Sequence, residues 1–126
     1  MLDLGGAAGG SMAAIAFGDP SRPVDMLFLH ANGFNALTYR SLLEPLAAEQ
    51  NILAIDQRGH GRTALKGAVD GRRNWDDLTA DLVTLLDRIE SPPITLAGHS
   101  MGATVSLLAR PFDGRSACAA SCCSIR

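Results

Sequence analysis

Three short, almost unbroken apolar runs mark the chain: Val24 to His30 (VDMLFLH), Asn51 to Ile55 (NILAI) and Ile94 to Ala97. Each is too short for a helix and lacks the alternation of a half-exposed strand, which suits strands covered on both faces in a parallel sheet. Ahead of them, SMAAIAFGDPSRP reads as a short strand closed by a Gly-Asp-Pro turn. Between the runs the spacing becomes helical. In LTYRSLLEPLAAEQ, Leu42, Leu43 and Leu46 are expected to share a face, with Pro45 ending or kinking the helix. A longer amphipathic helix is expected from Asn74, its cap, with Trp75, Leu78, Leu82, Leu85, Leu86 and Ile89 on one side. Asp76 and Asp77 favour the positive end of its dipole, and Ser91, Pro92 and Pro93 stop it. Strand and helix alternate, which predicts an α/β fold: a mostly parallel sheet with flanking helices, binding ligands at the carboxyl ends of its strands.

The 126 residues suffice for one domain, and a hydrophobic share of 47% without any apolar run of about 18 residues predicts a soluble chain with no membrane partner. A formal charge of -2 leaves no basic stripe for phosphates, so no nucleic-acid partner is expected. Residues 1–11 are Gly-rich, are expected to be flexible, and lack the basic start of a signal peptide; a cytoplasmic location follows. Cys118, Cys122 and Cys123 bunch in the tail, an odd set that is no disulfide framework and has no histidine beside it to complete a metal site. Neither a metal nor an organic cofactor is implied.

The chemistry-bearing segments lie where the runs end. Gly98-His99-Ser100-Met101-Gly102 has the form G-x-S-x-G between a strand and a helix. Such a turn holds the serine in a strained conformation, and side chains in place of Gly98 or Gly102 would crowd its close packing. Ser100 is the expected nucleophile, and the Met101 amide at the helix start is placed to donate to an oxyanion. The second amide is expected from the loop after the first long strand, LHANGFN, where Asn32 is the candidate and Gly33 permits the turn.

With these residues in place, the chain resembles the N-terminal half of an α/β-hydrolase-fold enzyme. FLHANGF matches the family's oxyanion loop, LAIDQRGHGRT its Asp-x-Arg-Gly-His-Gly segment and LAGHSMGA its nucleophile elbow, in the family's order, over about Met12 to Ala109. Ala31 departs from the glycine more often found there. The resemblance implies hydrolysis of a small-molecule ester, thioester or amide by Ser100. It gives Asp56 and His60 a loop-bracing role rather than a place in a triad, and His30 and His99 a structural one. Serine at the elbow, in place of aspartate, weighs against haloalkane dehalogenase or epoxide hydrolase chemistry.

In this family the acid and the histidine follow the serine, but after Ser100 the sequence holds only Asp113 among acids and no histidine. The general base and acid are therefore absent, and the chain by itself is expected to be inactive. Residues 111–126 contain no apolar strand and look like a GC-rich frame misread, consistent with arginine outnumbering lysine ten to one. Read one base earlier with GC-rich codons, Ala120 to Arg126 becomes Leu-Val-Leu-Leu-Asp-Pro, the strand and turn this family typically shows next. A frameshift between about Arg110 and Arg115 is thus expected, leaving residues 12–110 as the family portion and truncating the fold after the elbow helix. The elbow strand then becomes an uncovered edge that invites self-association. The alternative is a non-catalytic fragment or a protein that binds through that edge.

Overall fold

The computed structural model describes residues 2–3, 10–67, 71, 73–89, 93–113 and 121–122; Ser91, Pro92, Arg115, Cys118, Ala120, Cys123 and Arg126, named above, lie outside them. In chain order the elements are β1 (Leu2–Asp3), β2 (Ser11–Met12), β3 (Ala14–Phe17), β4 (Met26–Leu29), α1 (Arg40–Leu43), β5 (Ile52–Ile55), α2 (Asp76–Leu86), β6 (Thr95–Gly98), α3 (Met101–Asp113) and β7 (Ser121–Cys122). β3, β5, β4, β6 and β7 lie side by side in that order, β3 antiparallel to β5 and the other neighbours parallel. All three apolar runs are strands, within two residues of the expected bounds at either end.

Side chains alternate across this sheet, so each run feeds two cores. Leu27, Leu29, Ile55 and Leu96 pack on one face with Leu78, Leu82 and Leu85 of α2 and Met101, Val105 and Ala109 of α3. Phe28, Ile52 and Ala54 pack on the other with Ala36 and Leu43. A strand buried on both faces needs apolar residues at every position, which is why these runs do not alternate.

The first helix departs from expectation. It is a 3-10 turn (Ala36–Tyr39), one turn of α-helix (α1) and a second 3-10 turn (Glu44–Ala48) that has Pro45 at its start. Leu43 is buried, but Leu42 and Leu46 are exposed at 54% and 45%. The inward face is instead Ala36, Tyr39, Leu43 and Ala47. The proline cannot donate to the preceding turn, and the tighter winding around it rotates the leucines outward.

In the second helix the buried stripe is as expected, although α2 starts at Asp76, whose amide donates to Asn74 Oδ1 at 3.3 Å. Two further pairings concern the ends. Leu2 and Asp3 pair with Met12 and Ser11 in a separate two-stranded sheet. The elbow strand β6, expected to be uncovered, is covered over its last two residues: Ser121 and Cys122 pair with Ala97 and Gly98, in a tail where no strand was expected. Backbone groups at this end of β6 are thereby occupied, while Thr95 and Leu96 have no partner in β7.

Candidate active site

Leu29, the last residue of β4, is in register with Ile55 of β5 on one side and Gly98 of β6 on the other. The segments that follow these three strands therefore emerge together at one edge of the sheet: HANGF from His30, DQRGHG from Asp56 and the turn at Ser100. This is the edge at which parallel α/β sheets bind ligands.

Ser100 has φ +50°, the one positive φ outside glycine among the described residues. L-residues seldom adopt that region, and the flanking glycines show what maintains it. A Cβ on Gly98 would lie 2.5 Å from the Gly102 carbonyl carbon, and one on Gly102 would lie 2.2 Å from the Leu29 carbonyl oxygen. The turn is pinned further by His99 N–H donating to Leu29 O at 3.0 Å and Gly102 N–H donating to His99 O at 3.0 Å. Ser100 thus stands in the sharp bend between β6 and α3, with Met101 as the first residue of that helix and 3% exposed.

Facing it, Phe34 N–H donates to Ala31 O at 3.1 Å, closing a turn with Asn32 and Gly33 at its tip and Gly33 at φ +79°. Asn32 is exposed, and its side-chain oxygen lies 3.1 Å from His60 Nε2. His60 Nδ1 donates to Arg58 O at 2.9 Å. Tyr39 reaches the same loop: its hydroxyl accepts from Ala31 N–H at 3.1 Å and lies 2.8 Å from His99 Nδ1.

His30 is wholly buried. Its Nε2 accepts from Gln57 N–H at 2.9 Å, which leaves the proton on Nδ1, donated to Ala31 O at 2.8 Å. The ring is thereby fixed as one neutral tautomer. Burial pushes its pKa below the ordinary value of 6.5, the Ala31 carbonyl opposes this, His60 adds to the lowering and Asp56 opposes it. Gln57 Nε2 in turn donates to His30 O at 2.7 Å.

The DQRGHG loop is organised from within. Asp56 accepts from Ala36 N–H at 2.7 Å and from Arg62 N–H at 2.8 Å, tying the loop to the start of the Ala36–Tyr39 turn. Arg58 forks onto Asp81 of α2, Nε to Oδ2 at 2.7 Å and Nη2 to Oδ1 at 2.6 Å. That carboxylate and burial act oppositely on Arg58; the carboxylate prevails and raises its pKa.

All the expected site residues except Met101 therefore lie in one hydrogen-bonded neighbourhood or directly on the sharp turn, and Met101 begins the helix beneath it. Two contributors were not anticipated. Asp81 is an acid inside the buried arc of α2, a pattern that signals a cation partner. Tyr39 gave no motif signal. Among the described residues, no group of three or more His, Cys, Asp or Glu could hold a metal ion, and no helix is long and apolar enough to cross a membrane. A groove of about 570 Å³ lies elsewhere, between α2 and α3, lined by Thr79, Val83 and Leu108 among others.

A model of the alpha/beta hydrolase family matches residues 26–125. Epoxide hydrolase A of Mycobacterium tuberculosis is 37% identical over 97 residues, covering 75% of this chain and 29% of that protein. Protein phosphatase methylesterase 1 of Mus musculus is 29% identical over 87 residues, covering 65% and 22% respectively. Among solved structures, an epoxide hydrolase from Vigna radiata superposes with a TM-score of 0.77 at 26% identity, over 94% of this chain and 36% of that one. The chain spans less than a third of the length of these curated relatives.

Proposed function

The chain belongs to the alpha/beta hydrolase family, and from that premise we propose that it carries the nucleophile and oxyanion hole of a serine hydrolase acting on a small-molecule ester, thioester or amide. The observation that carries this reading is the left-handed backbone of Ser100 at the head of α3. Strain of that kind lifts a hydroxyl clear of the sheet and persists only where close packing enforces it.

In the proposed reaction Ser100 Oγ attacks the substrate carbonyl and the leaving group departs with a proton, leaving an acyl-serine that water later cleaves. The backbone N–H groups of Met101 and Asn32 receive the oxyanion. Tyr39 supports the choice of Asn32, since it already occupies the N–H of Ala31. Serine rather than aspartate at position 100 favours acyl transfer over epoxide opening, whatever the relatives' names.

The hydroxyl proton needs a base, and the 126 residues place no histidine after Ser100. His30 cannot serve, because its free nitrogen already accepts from Gln57 N–H. We propose that Ser100 is unactivated in these residues alone and that the setting is cytoplasmic.

The test uses Ser100→Cys. A thiol carries a few per cent thiolate at neutral pH without a partner, and a helix N-terminus increases that fraction. Exposure to p-nitrophenyl acetate is expected to give a burst of nitrophenolate and a thioester at position 100, located by tandem mass spectrometry. Acylation confined to Cys118, Cys122 and Cys123 contradicts the reading.

A further inference from the structure

If Asn32 and Met101 together hold an oxyanion, two amides on separate loops must keep a fixed spacing about Ser100. The Tyr39 side chain hydrogen-bonds to both loops. The Tyr39 hydroxyl accepts from the N–H of Ala31, next to Asn32, and lies 2.8 Å from the ring of His99, next to Ser100. The hydroxyl still has its own proton to give, and we assign it to His99 Nδ1, with the ring's proton on Nε2. A single hydroxyl thus joins the two halves of the site.

Tyr39 is itself firmly placed. It closes the Ala36–Tyr39 turn, whose first amide donates to Asp56 and whose cap, Asn35, accepts from Thr38 N–H at 3.1 Å. Its ring lies 4.8 Å from that of Phe28 in the sheet and 6.1 Å from that of Phe34 in the facing loop, centroid to centroid. The strain at Ser100 fixes the elbow, and the Tyr39 hydroxyl transmits that fixed position to a turn whose tip is exposed. His60 touches the same turn through Asn32 but makes no bond to the elbow.

We propose that Tyr39 is a positioning residue for acyl transfer: by bridging Ala31 N–H and His99 Nδ1, it sets the spacing of the two oxyanion amides about Ser100. This rests on the nucleophile reading given above. It also explains how the loop can tolerate Ala31 where glycine is more often found, since the amide orientation is held by a side-chain acceptor rather than by the freedom of the backbone.

Tyr39→Phe keeps the ring contacts and removes the hydroxyl. Two readouts in the full chain test the proposal. In 15N spectra, His99 Nδ1 is expected in the unprotonated, hydrogen-bonded range and is expected to shift in Tyr39→Phe, with the backbone spectrum otherwise native. In the Ser100→Cys background, Tyr39→Phe is expected to lower the saturating acylation rate by p-nitrophenyl acetate about 10- to 100-fold, because small misplacements of reacting groups cost that much. The half-saturating concentration should change by less than about twofold, since the lost contact matters in the transition state. Equal acylation rates, or an unmoved His99 signal, overturn this inference alone. No acylation of Ser100→Cys itself overturns the nucleophile reading, and this inference with it.

Discussion

Gly102 lies against the backbone of Leu29 so closely that a single added methyl group would sit 2.2 Å from the Leu29 carbonyl oxygen. The obstacle is backbone at the end of a central strand, not a side chain that could swing aside. Gly102→Ala must therefore push α3 away from β4, displacing Ser100 and Met101 together. We expect a loss of about 3 kcal/mol in urea unfolding, the upper part of the usual range for overpacking. A loss under about 0.5 kcal/mol, the range of ordinary surface changes, would show that the helix can shift freely.

The fork of Arg58 on Asp81 couples the DQRGHG loop to α2 across 23 residues of sequence. The side chains are 18% and 3% exposed, so the pair is shielded and its loss leaves a poorly solvated guanidinium. Asp81→Asn is expected to destabilise the fold by about 3 kcal/mol, the low end for breaking a buried pair because Arg58 keeps some solvent. Arg58→Lys should recover little, since an ammonium cannot make the two parallel bonds. Thermal melts of both variants check this; a melt of Asp81→Asn matching the parent would contradict it.

His30 gives the fold a pH dependence whose sign is fixed. Its pKa is lowered in the folded state, so below the ordinary value of 6.5 the unfolded chain takes a proton that the native ring refuses. The unfolded state then binds more protons, and this contribution to stability is present above that value and is lost as pH falls below it, down to the lowered pKa. A ring titration by NMR should find His30 taking up its proton below its ordinary value, with the neutral ring protonated on Nδ1, and the urea midpoint should fall as pH drops below 6.5. A ring that titrates at or above its ordinary value would overturn the account of His30.

Much of the sheet was legible because its signals are local. An apolar run such as NILAI carries its own burial, and Gly98 and Gly102 advertise a turn that only small residues can make. Position within the fold was harder to read. Leu42 and Leu46 look as apolar as Leu43, yet the winding imposed near Pro45 turns them outward. The bond from Arg58 to Asp81 depends on two distant segments meeting: an acid in the buried arc of α2 signals a cation partner, but nothing near it singles out Arg58. Tyr39 carries no motif at all; its place comes from the Asp56 bond at Ala36, itself a contact across 20 residues. The pairing of Ser121 and Cys122 with β6 was missed because two polar or small residues give no strand pattern, and the neighbouring strand supplies the ordering instead.

The central proposal is that these residues place a serine and an oxyanion hole correctly and lack the base, with its acid partner, that would activate the serine. The most direct measurement is fluorophosphonate labelling of the chain with increasing added imidazole, located by mass spectrometry and compared with Ser100→Ala. The account predicts negligible labelling without imidazole and labelling at Ser100 that rises with it. Labelling of the parent no greater than that of Ser100→Ala at every imidazole concentration, in a chain whose spectra show it folded, would contradict the claim; full labelling without imidazole would contradict the missing base.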